Sequence, residues 1–211
     1  MVFCKYYKNN LLNRVFQKIR LIKIKHPFFL TWDNRKYVEC YIDDFDVQIY
    51  MEDDIGFNVK TLEYWIHYKD VCIRNQYNLG FLRTEFNDSG EILLTDITSP
   101  PEKVIKIDNQ LFLLNDNNAY CGFWIYDKNE LKEFIKTNEW QFNFEEYGIR
   151  EKSSIGWHGI EMKRYKGTII PLITNNNVLE THPGCNVHHI PNTYINNKIF
   201  CKYKFPLTIT V

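Results

Sequence analysis

The sequence contains no C-x-x-C, and its six cysteines (Cys4, Cys40, Cys72, Cys121, Cys185, Cys201) are scattered singly. That spacing offers no readable zinc site. Most of these cysteines stand among apolar or aromatic residues, which predicts buried free thiols in a reducing compartment. There is no apolar run approaching the roughly 18 residues of a transmembrane helix. The N-terminus lacks the apolar core, about 7–15 residues long, of a signal peptide. Together these absences predict a cytoplasmic protein. Charge of one sign is missing too: 26 basic residues balance 26 acidic ones, so no nucleic-acid partner is expected. No internal repeat or low-complexity segment is evident.

What is present suits a globular chain. With 211 residues, 45% of them hydrophobic and 16% aromatic, residues 1–211 predict a single domain with a full core. Charge is unevenly spread: Lys5, Lys8, Arg14, Lys18, Arg20, Lys23 and Lys25 all precede the first acidic residue, Asp33. Residues 5–19 predict a basic helix with Leu11, Leu12, Val15, Phe16 and Ile19 on one side. It would either make peripheral contact with an anionic membrane surface or pack as an ordinary helix on a sheet.

The rest of the chain is arranged around Tyr50-Met51-Glu52-Asp53-Asp54-Ile55-Gly56-Phe57. Phe45, Val47 and Ile49 alternate with Asp46, Gln48 and Tyr50, a strand period. Beyond Gly56, Asn58 reads as an N-cap and Val59, Leu62 and Ile66 as one face of a helix over about 58–74. The acidic triplet therefore sits where a strand gives way to a helix, the place where open α/β sheets bind ligands. Adjacent carboxylates repel unless a cation neutralises them. Hard divalent cations take oxygen ligands and bridge to phosphates. The triplet reads either as a metal–diphosphate site or as a solvated acidic loop.

Elsewhere, Leu21, Ile22 and Ile24 predict a short strand. A helix over about 34–43 would turn Tyr37, Val38 and Tyr41 to the core. Arg35 at its start is placed either to grip a phosphate or to form a surface salt bridge. Residues 79–86 and 91–97 form a hairpin around Asn87-Asp88-Ser89-Gly90, and 104–107 with 111–114 a second around Asp108-Asn109-Gln110. Residues 120–125 predict a strand in which Gly122 marks close backbone approach or a bulge. Asp127 and Glu130 open a helix, and 168–173 is a further strand. Strands near 21–25 and 45–50 are expected to make the parallel part of a central mixed sheet. Glu145, Glu146 and Glu151 form a second acidic group. The tail carries His188-His189-Ile190-Pro191-Asn192.

Four phrases, taken in order, resemble a group of sugar transferases of the GT-A fold: His26-Pro27 with Leu30-Thr31-Trp32 and Arg35; Tyr50-Met51-Glu52-Asp53-Asp54; Gly80-Phe81-Leu82-Arg83 with Glu85; and His189-Ile190-Pro191-Asn192 with Tyr194. They span about 26–194. The resemblance implies a Rossmann-like α/β mixed sheet with flanking helices and a small antiparallel β region, its opening βα unit absent or abbreviated. It implies a nucleoside-diphosphate sugar donor, Mn²⁺ or Mg²⁺, and a glycan, lipid-linked glycan or glycoprotein acceptor. Glu52-Asp53-Asp54 stands at the family's D-x-D, with Glu for the first Asp. Asp54 then matches the metal ligand, while Glu52 and Asp53 fall on the donor side. Arg35 matches a nucleotide-contacting basic residue, and His189 a late histidine that completes the metal's coordination.

On the enzyme reading, a carboxylate takes the acceptor proton if the reaction inverts. Glu151 is the first choice, with Glu145 and Glu146 behind it. Two other readings stay open. A two-metal nucleotidyltransferase or nuclease would need a second acidic strand end, which is not evident. A catalytically inactive, transferase-like module would hold sugar or nucleotide without turnover.

Overall fold

The computed structural model describes Val2–Cys4, Val15–Gln17 and residues 30–99, 101–116, 118–141 and 156–209. The protein is mixed α/β, with several sheets and few helices. In chain order, β1 (Val2–Cys4) and β2 (Val15–Gln17) come before α1 (Leu30–Tyr41) and β3 (Val47–Met51). Then follow β4 (Ile55–Gly56), α2 (Val59–Arg74), β5 (Asn78–Leu79), β6 (Leu82–Phe86), β7 (Ile92–Leu94), β8 (Val104–Ile107) and β9 (Gln110–Asn115). Next are β10 (Phe123–Asp127), α3 (Lys128–Ile135), α4 (Asn138–Gln141), β11 (Thr168–Asn175) and β12 (Val178–Thr181). The chain ends with β13 (Asn186–His189), β14 (Tyr203–Lys204) and β15 (Thr208–Ile209). Two compact units result: residues 1–51 with 122–156, and residues 52–121 with 157–211.

The first unit holds a sheet in the order β10-β3-β1-β2, antiparallel throughout. Two expectations are corrected here. Val15–Gln17 pairs with β1 as a strand, so the basic helix expected over 5–19 does not extend through it. The expected parallel pairing at 45–50 is also absent, because β3 has antiparallel neighbours on both sides. The strand expected over 21–25 lies outside the described residues. Tyr50, Trp124 and Tyr126 share one face and stack at 5.4 and 4.6 Å between ring centroids. Trp124 and Tyr126 are buried, so this aromatic row is core. Asp127 caps α3, its carboxylate accepting the Glu130 N–H at 2.9 Å. Gly122 is required by its backbone, which has φ near 65°.

The second unit contains two sheets. One runs β15-β12-β11-β9-β8, with β5 alongside β11 in parallel. The other runs β14-β7-β6-β13-β4, and in it β6 lies antiparallel to β7 and parallel to β13. Gly80 connects β5 to β6 where the chain crosses β11. A Cβ there would stand 2.7 Å from Thr168 Cγ2 and 2.9 Å from Ile170 Cγ1. Asn58 caps α2 as expected, accepting the Lys60 N–H at 2.9 Å. The buried face of α2 differs from the expected one. Thr61, Tyr64, Trp65, Tyr68 and Cys72 are buried, whereas Val59 and Ile66 are 67% and 60% exposed. Position 64 fills the interior because the Tyr64 hydroxyl also donates to Gly80 O at 2.7 Å. Cys72, Cys121, Cys185 and Cys201 are buried free thiols, and Cys40 is exposed. Among the described residues, no helix is long and apolar enough to cross a membrane.

Candidate functional site

Strand β3 ends at Met51, and Glu52 to Ile55 make a turn closed by the Ile55 N–H on Glu52 O at 3.1 Å. Ile55 and Gly56 then pair antiparallel with His189 and His188. The Ile190 N–H donates to Asp54 O at 2.8 Å. This backbone register sets Asp54 beside His189 across 135 positions of sequence, with Asp54 Oδ2 3.3 Å from His189 Nε2. The Asp54 side chain as a whole is 37% exposed, yet its Oδ1 is buried and has no hydrogen-bond partner.

The other side of the His189 ring is also engaged. Parallel pairing sets Val187 opposite Arg83 and His188 opposite Thr84, so the next position along each strand brings His189 to Glu85. His189 Nδ1 lies 2.5 Å from Glu85 Oε1. A buried carboxylate is an acceptor, so Nδ1 carries a proton, and in the neutral imidazole Nε2 then presents its lone pair towards Asp54. Two acceptors facing each other at this range repel unless a proton or a cation stands between them.

The tail phrase acquires physical content in this setting. Asn192, with φ near 52°, accepts the Phe86 N–H at 3.0 Å through Oδ1. The Tyr194 N–H donates to Glu85, at 2.9 Å to Oε2. The Tyr194 ring packs on His189 with centroids 5.2 Å apart. His189-Ile190-Pro191-Asn192 with Tyr194 thus folds the chain back onto the C-terminal end of β6. His188 serves elsewhere: its Nδ1 is 3.2 Å from Thr84 O, and its ring rests on Phe86.

Arg83, on the same strand face as Glu85, forms a two-pronged pair with Asp96 at 2.8 and 2.7 Å. Its guanidinium lies over the rings of Tyr120 and Tyr194. Burial works against that charge, but the bonds to Asp96 more than offset it and hold Arg83 protonated. The Tyr120 hydroxyl donates to Glu52 Oε1 at 2.5 Å. Glu52, Asp54, Glu85 and Asp96 thus gather around Arg83 and His189, so among the described residues the cluster holds more carboxylates than cations. A cavity of about 420 Å³ lies between α2 and the Pro183–Cys185 turn, lined by Tyr64, His67, Tyr68 and His182 among others but by none of these carboxylates.

His158 is buried against the Tyr120 ring, its Nε2 without a hydrogen-bond partner. Burial pushes its pKa down to about 4. The unfolded chain therefore binds this proton more readily than the folded one between about pH 6.5 and 4. Stability from this group is complete above about 6.5 and is lost as pH falls towards 4. Over that window the loss is roughly 3 kcal/mol. Urea unfolding at pH 7 and pH 4.5 is expected to show it, and His158→Phe to flatten the difference.

Arg35 sits in the first unit and is buried. It donates to Glu139 O at 2.8 Å and to Trp140 O, and lies over the Trp140 ring. Burial brings its pKa down to about 9, against the raising influence of Tyr50 and Glu39. Arg35→Ala removes the donor that two buried carbonyls share. It is expected to cost on the order of 2–3 kcal/mol, read as a lower melting temperature. A melting temperature equal to that of the wild type would return Arg35 to a purely donor-contacting part.

Of the residues nominated from sequence, then, the fold brings together Asp54, His189 and Glu52, leaves Asp53 exposed, and uses Arg35 within the first unit. Glu151, with Glu145 and Glu146, lies outside the described residues. Glu85, Asp96 and Tyr120 received no role from sequence. Two signals were available: Glu85 belongs to the third quoted phrase, and its spacing from Arg83 puts both on one face of a strand. No family model, curated protein or solved structure matches the chain.

Proposed function

We propose that this chain is a divalent-metal-dependent glycosyltransferase of GT-A-like architecture. It moves a sugar from a nucleoside-diphosphate sugar to a hydroxyl of a glycan, lipid-linked glycan or glycoprotein. The observation that carries this reading is Asp54 beside His189, with Asp54 Oδ1 buried and unpartnered. Buried carboxylate oxygens are ordinarily hydrogen-bonded, so an orphan Oδ1 on a carboxylate whose other oxygen faces the imidazole suits a cation.

The donor set favours a cation that arrives with phosphate. Among the described residues there is no group of three or more His, Cys, Asp or Glu able to hold a metal unaided. Asp54 and His189 would supply two ligands and leave the remaining positions to diphosphate oxygens and water. Imidazole in the set suits Mn²⁺ better than Mg²⁺. When bound, the cation offsets the charge that develops on the leaving diphosphate. Tyr120 holds the Glu52 carboxylate in place on the donor side, and Asp53 is exposed beside it. Glu151 is proposed as the base that takes the acceptor proton.

The test is release of nucleoside diphosphate from a panel of nucleotide sugars, with and without Mn²⁺. Mn²⁺-dependent release from at least one donor is the expected result. Mn²⁺-dependent binding without release would assign the chain to the inactive, transferase-like class instead. The absence of any metal-dependent binding would overturn the reading.

A further inference from the structure

Glu85 is fully buried, with 0% of its surface exposed. An isolated charge in that position is costly, so its partners must be worth the burial. Those partners are donors: His189 Nδ1 at 2.5 Å, the Tyr194 N–H at 3.1 and 2.9 Å to the two oxygens, and the Cys201 thiol at 3.9 Å. Among the described residues, the ordinary cation nearby is Arg83, and it is paired with Asp96. Strand β6 fixes Glu85, strand β13 fixes His189, and the Tyr194 ring closes over the imidazole. Each ring degree of freedom is thereby set from the side away from Asp54.

We propose that Glu85 is a positioning residue. It holds His189 as the Nδ1–H tautomer with Nε2 aimed at Asp54, and so sets the affinity of the site for a divalent cation. Imidazole ligands commonly donate their second ring N–H to a carboxylate, which fixes tautomer and orientation and raises basicity. Glu85→Gln separates this from simple packing. The amide is nearly isosteric, but its NH₂ can donate to Nδ1 and so force the proton to Nε2. The lone pair that faced Asp54 would then be gone, with the ring in the same place.

The inference rests on the cation reading above, and the experiment distinguishes their failures. Mn²⁺ alone, then Mn²⁺ with UDP or GDP, is titrated calorimetrically into wild type and Glu85→Gln. In parallel, ¹⁵N-histidine spectra of metal-free protein near pH 8 report the His189 tautomer, assigned by comparison with His189→Gln. The expected result is Nδ1–H in the wild type, a shift of the proton to Nε2 in Glu85→Gln, and a 10–100-fold loss of Mn²⁺ affinity. Equal Mn²⁺ affinity in the two proteins would overturn the positioning role and leave the cation reading standing. No Mn²⁺ binding by wild type would overturn both. The wild-type tautomer is read without Glu85→Gln: Nε2–H there would reject the inference even if that variant failed to fold.

Discussion

Asp54→Ala and His189→Ala should each lower Mn²⁺-dependent donor affinity by at least ~100-fold, the upper end of what removing a merely supporting residue of a metal site costs. The double variant should lose less than the sum, because both substitutions damage one site. The coupling is expected because the two side chains are 3.3 Å apart and one Asp54 oxygen is buried with nothing to accept from. The single variants differ in a second respect. His189→Ala removes a donor from the fully buried Glu85 and should destabilise the fold by about 3–5 kcal/mol, as breaking a buried pair does. Asp54→Ala removes a carboxylate that is partly exposed and should melt near the wild-type temperature. His189→Gln retains a donor for Glu85 and serves where the alanine variant unfolds. Donor affinity measured for all four proteins, with and without Mn²⁺, decides the matter. Strictly additive losses, or a His189 effect that persists without metal, would sink the shared site.

Glu151→Gln is expected to lower turnover by about 10²–10⁴-fold with donor affinity nearly intact. The substitution keeps size and hydrogen-bonding reach while removing the ability to take a proton. Its mark is therefore a fall in kcat at unchanged KM for the donor. An equal fall in donor affinity would make the residue a binding group. Turnover near that of wild type would move the role to Glu145 or Glu146, or point to a retaining reaction that needs no such base.

The local features of this chain were legible in its residues. Asn58 caps α2 and Asp127 caps α3 because a side-chain oxygen satisfies an N–H a few residues on, wherever the helix packs. The turn at Asn87 closes on its own side chain, and Asp108 takes the positive φ that a tight hairpin demands. Asp54 could be nominated because a carboxylate after a strand is chemically conspicuous, and His189 because the tail phrase resembles that of the transferase group. Features that depend on distant partners were not legible. The buried face of α2 was misread because aliphatic Val59 and Ile66 look more apolar than Tyr64 and Tyr68. What is buried is set by the surface the helix meets, and there the tyrosines pack with His182 and Phe81. Strand direction was misread around β3 for the same reason, since alternation is identical in parallel and antiparallel neighbours. Glu85 shows the limit most plainly. In sequence it is an acidic residue in a strand, a member of one quoted phrase with no role attached. Only the parallel pairing of β6 with β13, which joins segments about a hundred residues apart, sets it against His189 and turns a buried charge into a support for the site.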